Sequence, residues 1–332
     1  MRPLSFGLSL AFCLLALPSH TLARQMAGVE YVLRDLGTLE NSTLSVGVAI
    51  NDRGEVAGWS QLPTGAAIPF YWSERTGFIK LLEGLPGAPV DINGKGQIVG
   101  WFYRNITLQG FLWSRKEGFV DLGLFIPNTI NDRGDIAGQC DISSPMPCVL
   151  SASGVVRRLS VPDGGFGLAV DINNHGDVVG YVNVDPRSHA AIWRRNQETF
   201  EILTPTPDDG YEFVVAHDIN EHGIIVGAVE QLGGLVRFPV IWDRTDTGTV
   251  VESVPGQATN VNNHGMVTLF AESPLRTLIW DLRRHTFSEL PSLGGLDQPF
   301  ASGLNDRGVI VGSSSTPAGE NHAVIWEPVR PR

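Results

Sequence analysis

A motif of the form Asn-x-x-Gly, set between two short apolar runs, occurs seven times in this chain. The copies read AINDRGEVAG, DINGKGQIVG, TINDRGDIAG, DINNHGDVVG, DINEHGIIVG, NVNNHGMVTL and GLNDRGVIVG. Their asparagines are Asn51, Asn93, Asn131, Asn173, Asn220, Asn262 and Asn305, and the spacings are 42, 38, 42, 47, 42 and 43 residues. This even period indicates one supersecondary unit per repeat, each packing against its neighbours.

Each repeat also contains a regular series of apolar runs. A branched aliphatic residue precedes each asparagine, Asn and Gly tolerate positive φ, and a second apolar run follows, which predicts a β-hairpin. A third run ends in tryptophan in six repeats, and Leu150 takes this place in the third repeat. The six tryptophans are Trp72, Trp113, Trp193, Trp242, Trp280 and Trp326. We interpret them as core residues rather than as a platform for a ligand.

A fourth run follows the tryptophan, as in GFIKLL and GFVDLG, so each repeat has four short strands, which is typical of a β-propeller blade. The last repeat lacks this run, whereas Tyr31 to Leu39 resembles it and precedes the first Asn-x-x-Gly motif. The sequence therefore predicts an all-β fold: one seven-bladed β-propeller of four-stranded blades over residues 24–332, with the N-terminal strand closing the last blade.

Composition agrees with this fold and argues against some functions. The 38 Gly and 21 Pro residues favour many tight turns. The net charge is −11 and no block of five Lys or Arg occurs, so nucleic acid is not an expected partner.

The first residues predict export. Residues 1–23 carry Arg2, an apolar run and a Thr-x-Ala pattern ending at Ala23, as a cleaved signal peptide does. The alternative, a membrane anchor, needs about 20 apolar residues, and this run is shorter. We expect a secreted protein, extracellular or periplasmic, with no membrane span.

Two cysteines remain after cleavage, Cys140 and Cys148. The first ends the predicted second strand of the third repeat, and the second lies in the neighbouring antiparallel strand. Because such strands can bring two Cα atoms within disulfide range, we predict a disulfide bond, with a pair of buried thiols as the alternative.

Several of these segments resemble the HAF repeat family of bacterial extracellular proteins. The resemblance rests on DLGTL at Asp35 to Leu39, SLGGL at Ser292 to Leu296, HAAIW at His189 to Trp193 and HAVIW at His322 to Trp326. It covers essentially the whole mature chain, although the name-giving triplet is degenerate elsewhere. The resemblance implies a fold but brings no catalytic or binding residues.

Motifs for catalysis, metal binding or cofactor binding are missing, so no catalytic residue, metal or cofactor is predicted. The third position of every Asn-x-x-Gly turn, however, is basic or histidine. These residues are Arg53, Lys95, Arg133, His175, His222, His264 and Arg307. They would form a ring on one face, rimming the central channel if the hairpin holds the innermost strand. The ring could bind an anion, or a metal through its three histidines. The alternative is a turn position that tolerates long polar side chains, neutralised by Asp52, Asp132, Glu221 and Asp306.

Aromatic residues follow several hairpins and lead toward the most variable loops. These are Trp59, Trp101 and Tyr181, with Tyr103 nearby. Exposed rings here would suit stacking on sugars or a protein partner, and the alternative is packing within or between blades. The function expected is a secreted or cell-surface scaffold that binds protein or glycan. The rival is a propeller enzyme, a hydrolase or lyase, with converging acid and base groups at the channel mouth.

Overall fold

The computed structural model describes residues 28–140, 146–184, 187–197, 199–206, 210–231, 233–234, 236–243 and 247–329. The predicted signal peptide, residues 1–23, lies outside these ranges. Within them the chain forms 29 strands and no helix, which confirms the expected all-β class. The described residues therefore contain no helix that could cross a membrane.

The strands follow the repeat period. Strand β1 is Tyr31–Gly37. The first repeat forms β2 (Leu44–Ile50), β3 (Val56–Gln61), β4 (Ala67–Ser73) and β5 (Gly77–Lys80). The second forms β6 (Gly87–Ile92), β7 (Ile98–Arg104), β8 (Thr107–Ser114) and β9 (Gly118–Gly123). The third forms β10 (Ile126–Ile130), β11 (Ile136–Gln139), β12 (Pro147–Leu150) and β13 (Val156–Arg158).

The remaining repeats continue in the same order. The fourth forms β14 (Gly167–Ile172), β15 (Val178–Val184), β16 (Arg187–Trp193) and β17 (Glu201–Ile202), followed by β18 (Thr204–Thr206). The fifth forms β19 (Tyr211–Ile219), β20 (Ile224–Gln231), β21 (Arg237–Asp243) and β22 (Thr247–Val250). The sixth forms β23 (Gly256–Val261), β24 (Met266–Glu272), β25 (Leu275–Asp281) and β26 (Thr286–Glu289). The seventh forms β27 (Phe300–Leu304), β28 (Ile310–Ser315) and β29 (Asn321–Pro328).

Consecutive strands within a repeat pair antiparallel, and β1 pairs antiparallel with β29, with Leu33 opposite Trp326. The N-terminal strand therefore supplies the fourth strand of the last repeat, as predicted. Single parallel contacts join the last repeat to the first and the fourth repeat to the fifth. The first strand of every repeat has a register shift just before its asparagine, between Pro89 and Asp91 in the second repeat, for example. The sequence analysis did not predict this β-bulge.

The tryptophans pack in the cores between repeats, and one of them is less buried than the others. Trp72, Trp113, Trp193, Trp242 and Trp326 are buried, with 0–7% of their surface exposed. Trp280 is only partly buried but still packs against the core between the fifth and sixth repeats.

Cys140 and Cys148 are joined in a disulfide, with their Cα atoms 5.8 Å apart. Strand β11 ends one residue before Cys140, and Cys148 lies in β12 opposite Gly138. The predicted bond is thus confirmed, and it links the end of β11 to the start of β12.

Candidate functional site

The seven Asn-x-x-Gly turns lie at one end of the molecule, which we name the turn face. In the first turn the Asn51 side-chain oxygen accepts hydrogen bonds from the amides of Arg53 and Glu55, at 3.0 and 3.1 Å. Gly54 closes the turn with a φ of 75°, in the left-handed region that favours glycine. These local bonds hold each asparagine side chain in one orientation.

The other end of each asparagine side chain, Nδ2, links one repeat to the next. Each Nδ2 donates to the backbone carbonyl of the asparagine in the following repeat, at 2.9–3.4 Å. The seventh bond runs from Asn305 back to Asn51, at 2.9 Å, so the series is cyclic. All seven asparagines are buried. Since each side chain both accepts and donates, Asp or Ala cannot replace it without losing contacts.

A second series of bonds involves the second position of each turn. The backbone amide of this residue donates to the side chain of its counterpart in the next repeat, as from Glu221 to Asn263 at 2.8 Å and from Asp306 to Asp52 at 2.9 Å. The series is interrupted at Gly94, which has no side chain to accept. Burial raises the pKa of both Asp52 and Glu221.

These second-position residues line the mouth of a central cavity of about 420 Å³, whose walls come from the first strands of all seven repeats. The basic residues at the third position do not form this lining. Arg53 and Arg133 instead pair with Glu55 and Asp135, both at 2.6 Å. The mouth of the channel therefore presents mainly carboxylates and amides, because the turn directs its second residue inward.

The rest of the predicted basic ring is spread around the turn face. Lys95 reaches the Arg133 carbonyl at 3.4 Å, and Arg307 donates to the Asp52 carbonyl at 3.2 Å. His175 lies 3.5 Å from Glu221, and His222 and His264 are exposed. In the described ranges no group of three or more His, Cys, Asp or Glu is arranged to hold a metal ion. The structure thus does not bring the three histidines together as ligands.

Deeper in the cavity, the bulge turns the residue two positions before the asparagine inward. This places Asp91, Thr129, Asp171 and Asp218 on four consecutive repeats. The Thr129 hydroxyl lies 3.0 Å from an Asp91 oxygen and 2.8 Å from an Asp171 oxygen. Asp171 also contacts Asp218 through a side-chain hydrogen bond. Because the hydroxyl has a single proton and carboxylates only accept, one of the two Thr129 contacts needs a protonated carboxyl group.

The environment favours such protonation. Burial raises the pKa of Asp91 to about 6 and also raises that of Asp218, where the neighbouring Asp171 charge adds to the effect. His217 lines the same cavity, and its Nδ1 lies 2.7 Å from the Ala258 carbonyl. Burial lowers the pKa of His217. Carboxyl groups and one histidine therefore line the same cavity.

The same carboxyl groups also link the repeats through hydrogen bonds. Asp91 accepts from the Ile130 amide at 2.8 Å, and Asp218 accepts from the Val261 amide at 2.6 Å. Asp171 accepts from the Ile219 amide at 3.0 Å. Each of these amides belongs to a later repeat, beside a bulge, so the aspartates satisfy backbone donors that would otherwise be buried without partners. Sequence reasoning missed this cluster, although the triplet Asp-Ile-Asn in three of the repeats is its visible signal.

Two of the predicted aromatic residues meet at the opposite end of the strands, which we name the loop face. Trp101 and Tyr103 lie on β7 with ring centroids 5.8 Å apart and nearly perpendicular, at 76°. They line a groove of about 360 Å³ between the second and third repeats, together with Leu108, Pro127 and Gln139. Tyr103 is 41% exposed. The groove offers two aromatic faces and a side-chain amide.

The other two predicted aromatics lie elsewhere. Tyr181 packs between Phe166 and Phe213, at 6.3 and 5.6 Å. Trp59 occupies in the first repeat the position that Trp101 has in the second, opposite Pro69, and is not part of the groove. The predicted aromatic set is therefore not one surface.

Comparisons with known proteins identify the fold but no relative. No protein-family model matches the chain, and a search of curated proteins finds no match. Among solved structures, YCF48 bound to the D1 peptide is similar with 11% identity and a TM-score of 0.54, over 92% of this chain and 97% of that chain. The acylaminoacyl peptidase of Pyrococcus horikoshii is similar with 13% identity and a TM-score of 0.56, over 89% of this chain and 53% of that chain. TolB from Acinetobacter baumannii has 16% identity and a TM-score of 0.45, over 64% of this chain and 60% of that chain.

This chain thus spans little more than half the length of the peptidase. At such low identities, the first two likenesses show the fold alone, which is of the β-propeller type.

Proposed function

We propose that this protein is a secreted, closed, seven-bladed β-propeller that binds a glycan or protein ligand through its loop face. The observation that carries the binding proposal is the groove formed by Trp101 and Tyr103. Its perpendicular rings offer a stacking surface, and the Gln139 amide adds a polar group beside them. Aromatic faces beside amides recognise the apolar face and hydroxyl groups of a sugar ring, or the side chains of a protein partner.

Closure of the ring is supported by the bonds that join the chain ends. Strand β1 completes the last repeat, and Asn305 of that repeat donates to Asn51 of the first. A closed array has no exposed sheet edge between its first and last units, which removes a template for pairing with other chains.

Export is supported by the apolar N-terminal segment and by the disulfide between Cys140 and Cys148, since disulfides persist in oxidising compartments. We also propose membership of the HAF repeat family, for which the DLGTL and HAVIW segments are the evidence.

The binding proposal is tested with the mature chain on arrays of glycans and of secreted proteins. Hits are measured again with Trp101→Ala and with Trp59→Ala, its matched control at the equivalent position of the neighbouring repeat. We expect Trp101→Ala to weaken binding by about tenfold or more and Trp59→Ala to leave it unchanged. Equal binding by both variants would show that the groove is not the site.

One observation favours the rival, an enzyme. Asp91, Asp171, Asp218 and His217 all line the central cavity, and two of the carboxyl groups are protonated more easily than usual. Their bonds to backbone amides argue for a structural role instead. Turnover of any ester, lactone or glycoside substrate that is lost in a folded Asp171→Asn variant would favour the enzyme.

A further inference from the structure

Trp280 is the exception among the six repeat tryptophans. Trp193, Trp242 and Trp326 are at most 1% exposed, and each donates its indole N–H to a backbone carbonyl, at 2.7, 3.2 and 2.8 Å. Trp280 differs from all five others in being partly exposed, and its indole N–H, like those of the buried Trp72 and Trp113, has no hydrogen-bond partner among the described residues. A tryptophan in this state has an available ring face and an available donor.

The exposure of Trp280 has its cause in the preceding repeat. At other junctions, a buried leucine after the fourth strand packs in the same core as the next tryptophan. These leucines are Leu81, Leu159, Leu203 and Leu290. The fifth repeat has Val251 at this place, and it is not part of the core that includes Trp280. The shorter side chain leaves Trp280 partly exposed.

The partly exposed ring lines a cavity of about 530 Å³ between the fifth and sixth repeats, at the turn face. Ile224, Ile241 and Leu282, all partly buried, form its apolar walls with Trp280. The Trp280 ring is stacked on Phe287, with centroids 5.6 Å apart and planes at 22°, so Phe287 packs against one face of the ring. The volume lies within the range of about 300–1,000 Å³ that is usual for small-molecule sites.

Basic side chains also line this cavity. Arg283, His222 and His285 line the cavity, and Asp243 is the carboxylate among the lining residues. Arg283 is exposed and has no ion-pair partner within the described ranges, whereas its neighbour Arg284 pairs with Asp281 at 3.5 Å. An arginine that lines the same cavity as an aromatic ring is suited to a planar group that carries a carboxylate.

We propose that this cavity binds a small aromatic carboxylate, with the ring stacked on Trp280 and the carboxylate paired with Arg283. The site lies at the turn face, away from the loop-face groove, and is independent of the function proposed above. It gives a role to His222, which the sequence places in a basic ring but which the structure places at the rim of this cavity.

The test is isothermal titration calorimetry with 2-naphthoate and its neutral counterpart 2-naphthamide as probes. We expect naphthoate to bind about tenfold more tightly than naphthamide, because only the carboxylate makes charge-assisted hydrogen bonds. Arg283→Gln removes this difference by weakening naphthoate alone. Val251→Leu, which restores the leucine of the other junctions, weakens both probes by narrowing the cavity.

Arg284→Gln is the matched control, since it removes the same charge from the adjacent residue outside the cavity and leaves both affinities unchanged. Thermal unfolding of each variant shows that it is folded. The proposal is overturned if naphthoate shows no saturable binding up to about 5 mM, a concentration that detects even millimolar affinity. It is equally overturned if Arg283→Gln and Arg284→Gln bind naphthoate alike.

Discussion

Replacing Asn305 with Asp tests whether the array is closed. The side-chain oxygen that accepts from the Arg307 and Val309 amides, at 3.0 and 2.9 Å, is retained in the variant. The donor to the Asn51 carbonyl, 2.9 Å away, is replaced by an oxygen that carries charge. The substitution therefore removes only the bond between the last repeat and the first.

The expected loss of unfolding free energy at pH 7 is about 3 kcal/mol. About 1 kcal/mol comes from the lost hydrogen bond, and the rest from a buried carbonyl left without a donor and facing a buried carboxylate. The loss should shrink as the pH falls, because a protonated carboxyl group can again donate to the carbonyl. Burial raises the pKa of such a group, so this recovery begins above its ordinary range.

The assay is urea unfolding followed by tryptophan fluorescence, at pH 7 and at pH 4.5. Asn131→Asp, which breaks the equivalent internal bond to Asn173 at 3.0 Å, provides the comparison. Asn196→Asp, on an exposed turn, controls for the added charge. If the array is closed, Asn305→Asp and Asn131→Asp lose similar free energy with unchanged m values. An Asn305→Asp variant as stable as Asn196→Asp, beside a destabilised Asn131→Asp, would refute closure.

Three further predictions follow from the same contacts. Replacing Cys140 and Cys148 together with Ser should lower the unfolding free energy by about 2.5 kcal/mol, since the disulfide closes a short loop. Mass spectrometry of unreduced, alkylated protein should find no free thiol in the mature wild-type chain. Folded Asp91 keeps its proton to about pH 6, whereas the unfolded residue releases it near pH 4. The free energy of unfolding should therefore fall by up to about 3 kcal/mol as the pH rises between these values. Urea titrations across this window should show a smaller pH dependence for Asp91→Asn than for the wild type. A chain that begins at residue 38 lacks β1 and uncovers Val324 and Trp326; we expect it to self-associate through the free edge of β29, and a monomeric elution volume in size-exclusion chromatography would contradict this.

Much of the fold could be predicted because its signals are local and repeated. The turn at Asn51 and Gly54 is specified by residues four positions apart, and the alternation of apolar runs identifies the strands around it. Repetition strengthens each signal, since seven copies of a weak pattern support one interpretation. The pairing of β1 with β29 was also predictable, because only one repeat lacks a fourth strand and only one segment is spare.

The candidate sites were less predictable, because they depend on small departures from the repeat. The basic third-position residues were expected at the channel, but the turn directs the second position inward instead. Trp101 and Tyr103 meet in a groove, whereas Trp59, at the equivalent position, does not take part. The cavity at Trp280 follows from one shorter side chain, Val251, in a different repeat. A pattern that identifies equivalent positions cannot show how their surroundings differ.

The sequence by itself thus determined the repeat, its hairpin turn, its strand count and the burial of most of its tryptophans. These features follow from backbone preferences and from the spacing of apolar residues along a short stretch of chain. Only the tertiary structure decided which side chains meet across repeats: Asn305 with Asn51, and Asp91 with Asp171 through Thr129. These contacts depend on β-bulges and on the stacking of distant segments, and a change of one residue in register would turn each side chain the other way.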